Sequence, residues 1–316
     1  MPDGGTIPRP DVVKDALAGL LTPRKTLPAK LFYDAEGSRL FDLITNLPEY
    51  YLTRTELGLL RAIARSVADR APARAAVVEY GAGSEVKAAI LLGALREPAA
   101  YLPIDVAGEA LGESVARLAR QFPALAIHPI VADFLAPFRL PPIVQALPRL
   151  GFFPGSTIGN LEPAVAVRFL RHARQTLGTG ALLLLGADLR KDPSILLPAY
   201  DDASGITAAF NRNVLLRLNR EAGADFDPDA FTHRAIWNDG ESRIEMHLVS
   251  RSAQKVRIAG HSIEFVEGET IHTENSYKHT AERFLALASD AGWVGTQLWT
   301  DADDLFSIHL LRAEEA

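Results

Sequence analysis

The feature that most constrains this chain is a short apolar run that ends in glycine. Ala75-Ala76-Val77-Val78-Glu79-Tyr80 reads as a buried strand and passes directly into Gly81-Ala82-Gly83. Residues 87–95, rich in alanine and leucine, are predicted to follow as a helix. The alternation then repeats. Residues 101–106 are strand-like, 109–121 helical, 127–132 strand-like; 150–153 and 181–185 supply two more strands with a helix over 163–177 between them. Strands alternating with helices require a parallel sheet covered by helices on its faces. The expected class is α/β, a doubly wound, Rossmann-like core.

The flanks do not follow this rhythm. Residues 1–56 hold helical pieces and two tyrosine-rich stretches but no strand suited to that sheet. Residues 192–233 look helical, whereas 235–249 and 256–265 alternate like antiparallel strands. Asn238-Asp239-Gly240 is a hairpin-turn sequence between two of these strands. Residues 281–291 read as a helix stopped by Gly292, and 293–299 with 305–311 as an antiparallel pair closing the sheet. The chain is therefore expected to have a nucleotide-type core, residues 57–191 and 281–316. A second, α+β domain is expected from residues 10–56 and the insertion 192–280. There is no internal repeat or low-complexity tract.

Composition narrows the function classes. With 48% hydrophobic residues among 316, the chain has ample material for a packed core. The absence of cysteine excludes disulfides, thiolate metal sites and a cysteine nucleophile. A net charge of −6 argues against nucleic acid as a partner. No apolar run reaches the roughly 18 residues of a membrane span, and residues 1–10 lack the basic and apolar regions of a signal peptide. A monomeric, acidic protein of the cytoplasm is expected, with no membrane partner.

In an open parallel sheet, ligands bind outside the carboxyl ends of the strands, where the strand order reverses. Three features fall at such ends. Gly81 and Gly83 follow the first strand, where small residues let a ligand approach the backbone. Asp105 ends the second, 24 residues after Gly81, and suits the hydroxyls of a ribose. Asp133-Phe134 ends the third and suits an adenine, through its amino group and by stacking. Gly81 and Gly83 alone fit a tight turn as readily as a ligand loop; with both acids at matching ends they describe an adenosine-shaped ligand. Gly81-Ala82-Gly83-Ser84-Glu85-Val86 lacks the third glycine of the dinucleotide fingerprint, which disfavours a nicotinamide-dependent oxidoreductase. Glu79 and Glu85 add negative charge that suits the sulfonium and ammonium of S-adenosylmethionine better than a pyrophosphate.

Longer strings carry a more specific resemblance. They are Leu47-Pro48-Glu49-Tyr50-Tyr51-Leu52-Thr53-Arg54-Thr55-Glu56, Gly155-Ser156-Thr157-Ile158-Gly159-Asn160-Leu161, Tyr200-Asp201-Asp202 to Asn211-Arg212-Asn213, Ile244-Glu245-Met246, and Thr273-Glu274-Asn275-Ser276-Tyr277-Lys278. Together they closely resemble the histidine-specific N-alpha-methyltransferases of ergothioneine biosynthesis, from about Leu27 to the end of the chain. The resemblance implies a methyltransferase core and a separate substrate domain. It implies S-adenosylmethionine as methyl donor, leaving as S-adenosylhomocysteine, and three methyl transfers to the alpha-amine of L-histidine, through its mono- and dimethylated forms, to give hercynine. A related methyltransferase acting on another amino acid, such as tryptophan, is the nearest alternative; a binding protein without turnover is a more distant one.

Position by position, the resemblance implies that Gly81, Lys87, Asp105, Asp133 and Phe134 hold the cofactor. It implies that Tyr50, Asn160, Tyr200, Met246, Glu274 and Ser276 hold histidine, with Tyr33 near the reacting amine. Leu52 stands where the family often has proline, and Ser84-Glu85-Val86 replaces the more usual Thr-Ser-Glu. The physical roles follow from histidine's handles. The Asn160 amide and the Tyr200 hydroxyl can donate to its carboxylate. Glu274 and Ser276, two apart on an extended segment, share a face and can satisfy the two ring nitrogens, while Met246 bounds the ring. Read singly, Asn160 is a turn residue, Met246 a core methionine and Tyr51 a core aromatic. His247, His261, His272 and His279 lack tight ligand spacing, so no metal is expected.

Overall fold

The computed structural model describes residues 9–314 apart from Ser84 and Pro137. Residues 1–8, most of the stretch 1–10 on which the signal-peptide reading rests, Ser84 of the glycine loop, and residues 315–316 of the expected core lie outside the described residues. The helices are α1 (Pro10–Leu20), α2 (Ala35–Thr45), α3 (Tyr51–Ala68), α4 (Glu85–Ala94), α5 (Gly108–Gln121), α6 (Pro163–Leu177), α7 (Pro193–Tyr200), α8 (Ile206–Ala222) and α9 (Ala281–Ser289). The strands are β1 (Ala76–Tyr80), β2 (Ala100–Asp105), β3 (Ala126–Ile127), β4 (Ile130–Val131), β5 (Arg149–Phe153), β6 (Leu182–Asp188), β7 (Phe231–Asn238), β8 (Arg243–Ser250), β9 (Gln254–Ile258), β10 (His261–Phe265), β11 (Thr270–Tyr277), β12 (Trp293–Thr300) and β13 (Phe306–Ala313).

One sheet runs in the order β12-β13-β6-β5-β1-β2-β3, with β4 also paired to β2. From β6 to β3 the pairing is parallel; β13 lies antiparallel to β6, and β12 antiparallel to β13. The chain leaves β1 toward β2 on one side and returns to β5 on the other, so strand order reverses between β1 and β5. This is the doubly wound topology expected from the alternation. Both faces are covered, which is why the strands read as continuous apolar runs. Val78, Tyr80, Leu102, Phe153 and Leu185 face Phe169 of α6 and Phe284 of α9. Val77, Tyr101, Phe152, Leu184 and Ile308 face Leu60 and Ile63 of α3 and Leu91 of α4.

One strand departs from expectation. The run predicted over 127–132 is split into β3 and β4. Pro129 lies between them and has no N–H to give the ladder.

The chain divides into two compact units: Met1–Tyr50 with Asp192–Ser276, and Tyr51–Lys191 with Tyr277–Ala316. These boundaries shift the expected ones, 10–56 and 192–280. Tyr51–Glu56 belong with the sheet because α3 is one continuous helix whose apolar stripe packs there. Tyr277–Thr280 join it too, since Lys278 is buried against Asp188, the last residue of β6.

In the first-named unit, α8 is the spine. Phe32 stacks on Phe210 at 4.6 Å, Asn213 donates to Asp34 at 2.8 Å, and Arg217 donates to the Leu31 carbonyl at 3.0 Å. Two small antiparallel sheets, β11-β8-β7 and β9-β10, complete it. The β9–β10 turn places Ala259 and Gly260 both at positive φ, as a two-residue hairpin of right-handed twist demands. In the β7–β8 connection the left-handed residue is Ser242 at φ +56. Among the described residues, no helix is long and apolar enough to cross a membrane.

Candidate active site

The sheet unit gathers its candidate residues at the carboxyl ends of its strands. Gly81 follows β1 with φ +72, a conformation that excludes most side chains. Its N–H and that of Ala82 both donate to the Ile104 carbonyl, at 2.8 and 3.0 Å. A Cβ on Gly81 would lie 3.7 Å from the Phe134 ring, and one on Gly83 would meet only open space. Bare backbone therefore borders an aromatic ring here, a cradle that a flat ligand fits. Phe134 is itself fixed edge-on by Phe153 and Phe169, with centroids 5.5 and 5.4 Å away. Asp133 ties its own turn by accepting from Leu135 N–H at 2.9 Å. Asp105 closes β2 and accepts from Ala107 N–H at 2.8 Å. Burial raises its carboxyl above the ordinary range, against that hydrogen bond. Its partial burial leaves it ready to gain from hydroxyl donors.

Lys87, on α4, is held by a residue the sequence reading passed over. Its Nζ lies 2.5 Å from Oε2 of Glu56, a carboxylate only 2% exposed. Glu56 also accepts the Gly155 N–H through both oxygens, at 2.7 and 3.0 Å. One side chain thus joins α3, α4 and the turn after β5. Gly186 is bare because a Cβ there would run into that carboxylate. Glu56 was detectable: it sits on the stripe made by Leu52, Leu59, Leu60 and Ile63, where an amphipathic helix has apolar residues.

Two acids behave differently from expectation. Glu79 is 1% exposed and accepts the Tyr101 hydroxyl at 2.5 Å. Burial pushes its carboxyl up to about 8, despite that bond and the charge of Lys87. Burial thus opposes the charge that the sequence places before the glycine loop. Glu85 is engaged by Arg117 at 2.7 Å and Ser114 at 2.9 Å. Burial opposes the charge of Glu79, and Arg117 compensates that of Glu85.

Asn160 ends a 3-10 turn, Thr157–Asn160, that follows β5. That turn is built tightly. Ser156 takes φ +56 and its hydroxyl accepts the Asp188 N–H at 2.9 Å. Gly159 cannot carry a Cβ, which would lie 2.8 Å from the Tyr277 carbonyl oxygen. Asp188 in turn is fully buried and binds Lys278 at 2.7 Å, Lys191 at 2.6 Å and the Tyr51 hydroxyl at 2.9 and 2.8 Å. Burial draws the Lys191 ammonium down to about 8, against the pull of Asp188. Tyr51 is thus more than a core aromatic.

The other unit gathers its candidates through side chains. Tyr33 meets Phe41 edge-on at 5.9 Å, Phe41 meets Tyr50 at 6.3 Å, and Tyr50 meets Tyr200 at 6.4 Å. The Tyr200 hydroxyl then bonds Ser276 Oγ at 2.7 Å. Four of the expected residues are linked in one run. That last bond constrains their roles. Two hydroxyls have two hydrogens, and one is used between them. With the bond intact, Ser276 donating to a ring nitrogen and Tyr200 donating to a carboxylate cannot both hold.

Met246 pairs with Ala235 across β8 and β7, two positions from the His233–Leu248 pair. It therefore shares a face with His233, whose Nε2 lies 2.8 Å from the Tyr200 carbonyl oxygen. Glu274 is half-buried on β11, the strand that ends with Ser276 and Tyr277. Asp202 caps α8 by accepting from Thr207 N–H at 2.7 Å and Ile206 N–H at 3.0 Å. Burial opposes its ionisation, but the Ser204 and Thr207 hydrogen bonds bring it down to about 2. This cap fixes the joint that presents Tyr200.

Comparison with known proteins adds chemistry to this geometry. Residues 12–313 match the family described as "Histidine-specific methyltransferase, SAM-dependent". The Histidine N-alpha-methyltransferase of Mycolicibacterium smegmatis is 45% identical over 302 residues, which cover 94% of this chain and 93% of that protein. That of Mycobacterium tuberculosis is 41% identical over the same shares. A crystal structure of an S-adenosylmethionine-dependent methyltransferase from Clostridium acetobutylicum aligns with TM-score 0.51 at 10% identity, covering 88% of this chain and 99% of that one. That likeness shows the fold.

Proposed function

The chain belongs to the histidine-specific, S-adenosylmethionine-dependent methyltransferase family, and from that premise we propose that it methylates the alpha-amine of L-histidine three times to give hercynine, the first step of ergothioneine biosynthesis. The observation that carries the reading is the run from Tyr33 to Ser276. It offers aromatic walls and hydroxyls suited to an amine and an imidazole.

The sheet unit is assigned the methyl donor. Asp105 accepts from the ribose hydroxyls, Asp133 from the adenine amino group, and Phe134 offers a ring face or edge. Gly81 keeps the backbone accessible, and Lys87, steadied by Glu56, provides a cation. S-adenosylmethionine supplies an activated methyl group, whose bond to sulfur breaks with its electron pair retained as S-adenosylhomocysteine.

The protein's task is then alignment rather than activation. Asn160 donates to the substrate carboxylate. Glu274 accepts from one ring nitrogen, Met246 bounds the ring, and Ser276, receiving the Tyr200 hydrogen, donates to the other nitrogen. Tyr50 walls the pocket, and Tyr33 orients the amine, whose proton leaves to solvent so that the lone pair can attack. No metal takes part in this scheme. The reading includes a cytoplasmic monomer without nucleic-acid or membrane partners; the net charge of −6 supports the absence of nucleic acid and the lack of cysteine suits a reducing compartment.

The test is incubation with S-adenosylmethionine and each of the twenty amino acids in turn, read by mass spectrometry. Trimethylated histidine as the dominant product is expected. Preferred methylation of another amino acid, or none, would overturn the proposal.

A further inference from the structure

We propose that Glu245, His247 and His272 form a binding site for one divalent first-row transition metal ion, of the zinc, cobalt or nickel class. The three come from neighbouring strands, β8 and β11. One ligand atom from each lies within 4.8 Å of the other two. Glu245 and His247 are 7% and 8% exposed, and His272 is half-buried. Sequence spacing could not reveal the set, because two ligands lie two apart on one strand and the third is 25 residues further on a different strand.

The hydrogen bonds around the three sort their atoms. On Glu245, Oε1 takes every cationic and amide donor: Asn238 at 2.9 Å and Arg243 at 2.8 and 2.7 Å. Among the described residues, Oε2 meets the His247 Nε2, at 3.0 Å. A metal replacing the hydrogen shared there, with bonds of about 2.1 Å to each atom, subtends nearly a right angle, which suits octahedral and distorted tetrahedral ions. His272 is oriented by its own outer bond. Its Nε2 lies 3.0 Å from the Glu274 carbonyl oxygen and donates to it, which leaves Nδ1 with the lone pair. A ligating imidazole typically makes such a bond with its other nitrogen. The rings of His247 and His272 lie 4.7 Å apart and 23° from parallel. A shared ion lies in the plane of each imidazole, so binding requires the half-buried His272 to rotate out of this stack.

The other nitrogen of His247, Nδ1, is buried with no hydrogen-bond partner among the described residues. Two imidazoles and a carboxylate on one side of an ion leave its remaining positions to water, the arrangement of a three-ligand site. The Arg243 guanidinium on the other carboxylate oxygen weakens the pull of Glu245 on a cation.

Cobalt(II) tests the proposal, because its visible spectrum reports imidazole ligation. Tag-free protein is titrated by calorimetry and absorbance, with His272→Ala, Glu245→Gln and the exposed His261→Ala as comparison variants. Far-ultraviolet circular dichroism verifies that each is folded. One cobalt per chain is expected in the wild type and in His261→Ala. At least tenfold weaker binding and loss of the absorption band are expected in His272→Ala and Glu245→Gln. Absence of binding in the wild type, or equal binding in folded His272→Ala, would overturn the site.

Discussion

The two units present their candidate residues by different means. In the sheet unit, Gly81, Asp105, Asp133 and Asn160 all lie where a strand or its following turn ends, so topology alone brings them to one edge. In the other unit, Tyr33, Tyr50, Tyr200 and Ser276 are joined only by ring contacts and one hydroxyl pair. A sheet edge is generic and accepts many ligands of one shape. A set of side chains drawn from distant segments is particular, and such a set decides which molecule is used. Glu56 and Asp188 are the counterparts that make the generic edge rigid.

The largest expected effect is on that rigidity. Asp188→Ala strips the carboxylate from two buried lysines and Tyr51, and removing one partner of a buried ion pair costs about 3–5 kcal/mol. Urea denaturation of the purified variant measures it. A loss below about 1 kcal/mol would mean that the turn leading to Asn160 stands without this network.

The next effects separate the two ligands. Asp105→Ala is expected to weaken S-adenosylmethionine binding, and Asn160→Ala histidine binding. Each effect is about 1.5–3 kcal/mol, the worth of a hydrogen bond to a charged group. Calorimetry with each ligand on each variant gives four numbers. If Asn160→Ala loses the methyl donor and keeps histidine, Asn160 serves the other ligand.

A smaller effect concerns acid. Burial draws His279 down to about 4 and His309 to about 3. Both pack against Phe284, with centroids 5.8 and 4.4 Å away. Below the unfolded value near 6.5, the unfolded chain binds these protons and the native one does not. Stability should therefore fall as pH drops from 6.5 toward 4. His309→Gln should flatten that fall by about 1.4 kcal/mol per pH unit. An unchanged slope would show that His309 does not titrate as its burial requires.

Much of the sheet unit was legible because its strands are buried on both faces and its helices are punctuated. The helix predicted over 163–177 is α6, and the closing antiparallel pair is present as β12 and β13. The break at Pro129 followed from a missing donor that the apolar pattern obscured. Glu79 was counted as a charge in the sequence, whereas burial opposes its ionisation despite the Tyr101 hydrogen bond. The Asp188 cluster and the Glu245-His247-His272 group were not legible, since their members meet only through the fold. The candidate residues of the second unit were found through long family-specific strings, because neither periodicity nor strand ends distinguish Tyr200 or Ser276 from ordinary core residues.

The central claim is that the second unit chooses the amino acid while the sheet unit holds the methyl donor. Glu274→Ala combined with Met246→Val tests it directly, in competition between histidine and tryptophan with the methylated products read by mass spectrometry. The account predicts that preference for histidine drops about ten- to a hundredfold, as loss of a charged hydrogen bond allows, with S-adenosylmethionine affinity unchanged. An unaltered preference, or a loss of S-adenosylmethionine binding instead, would contradict it.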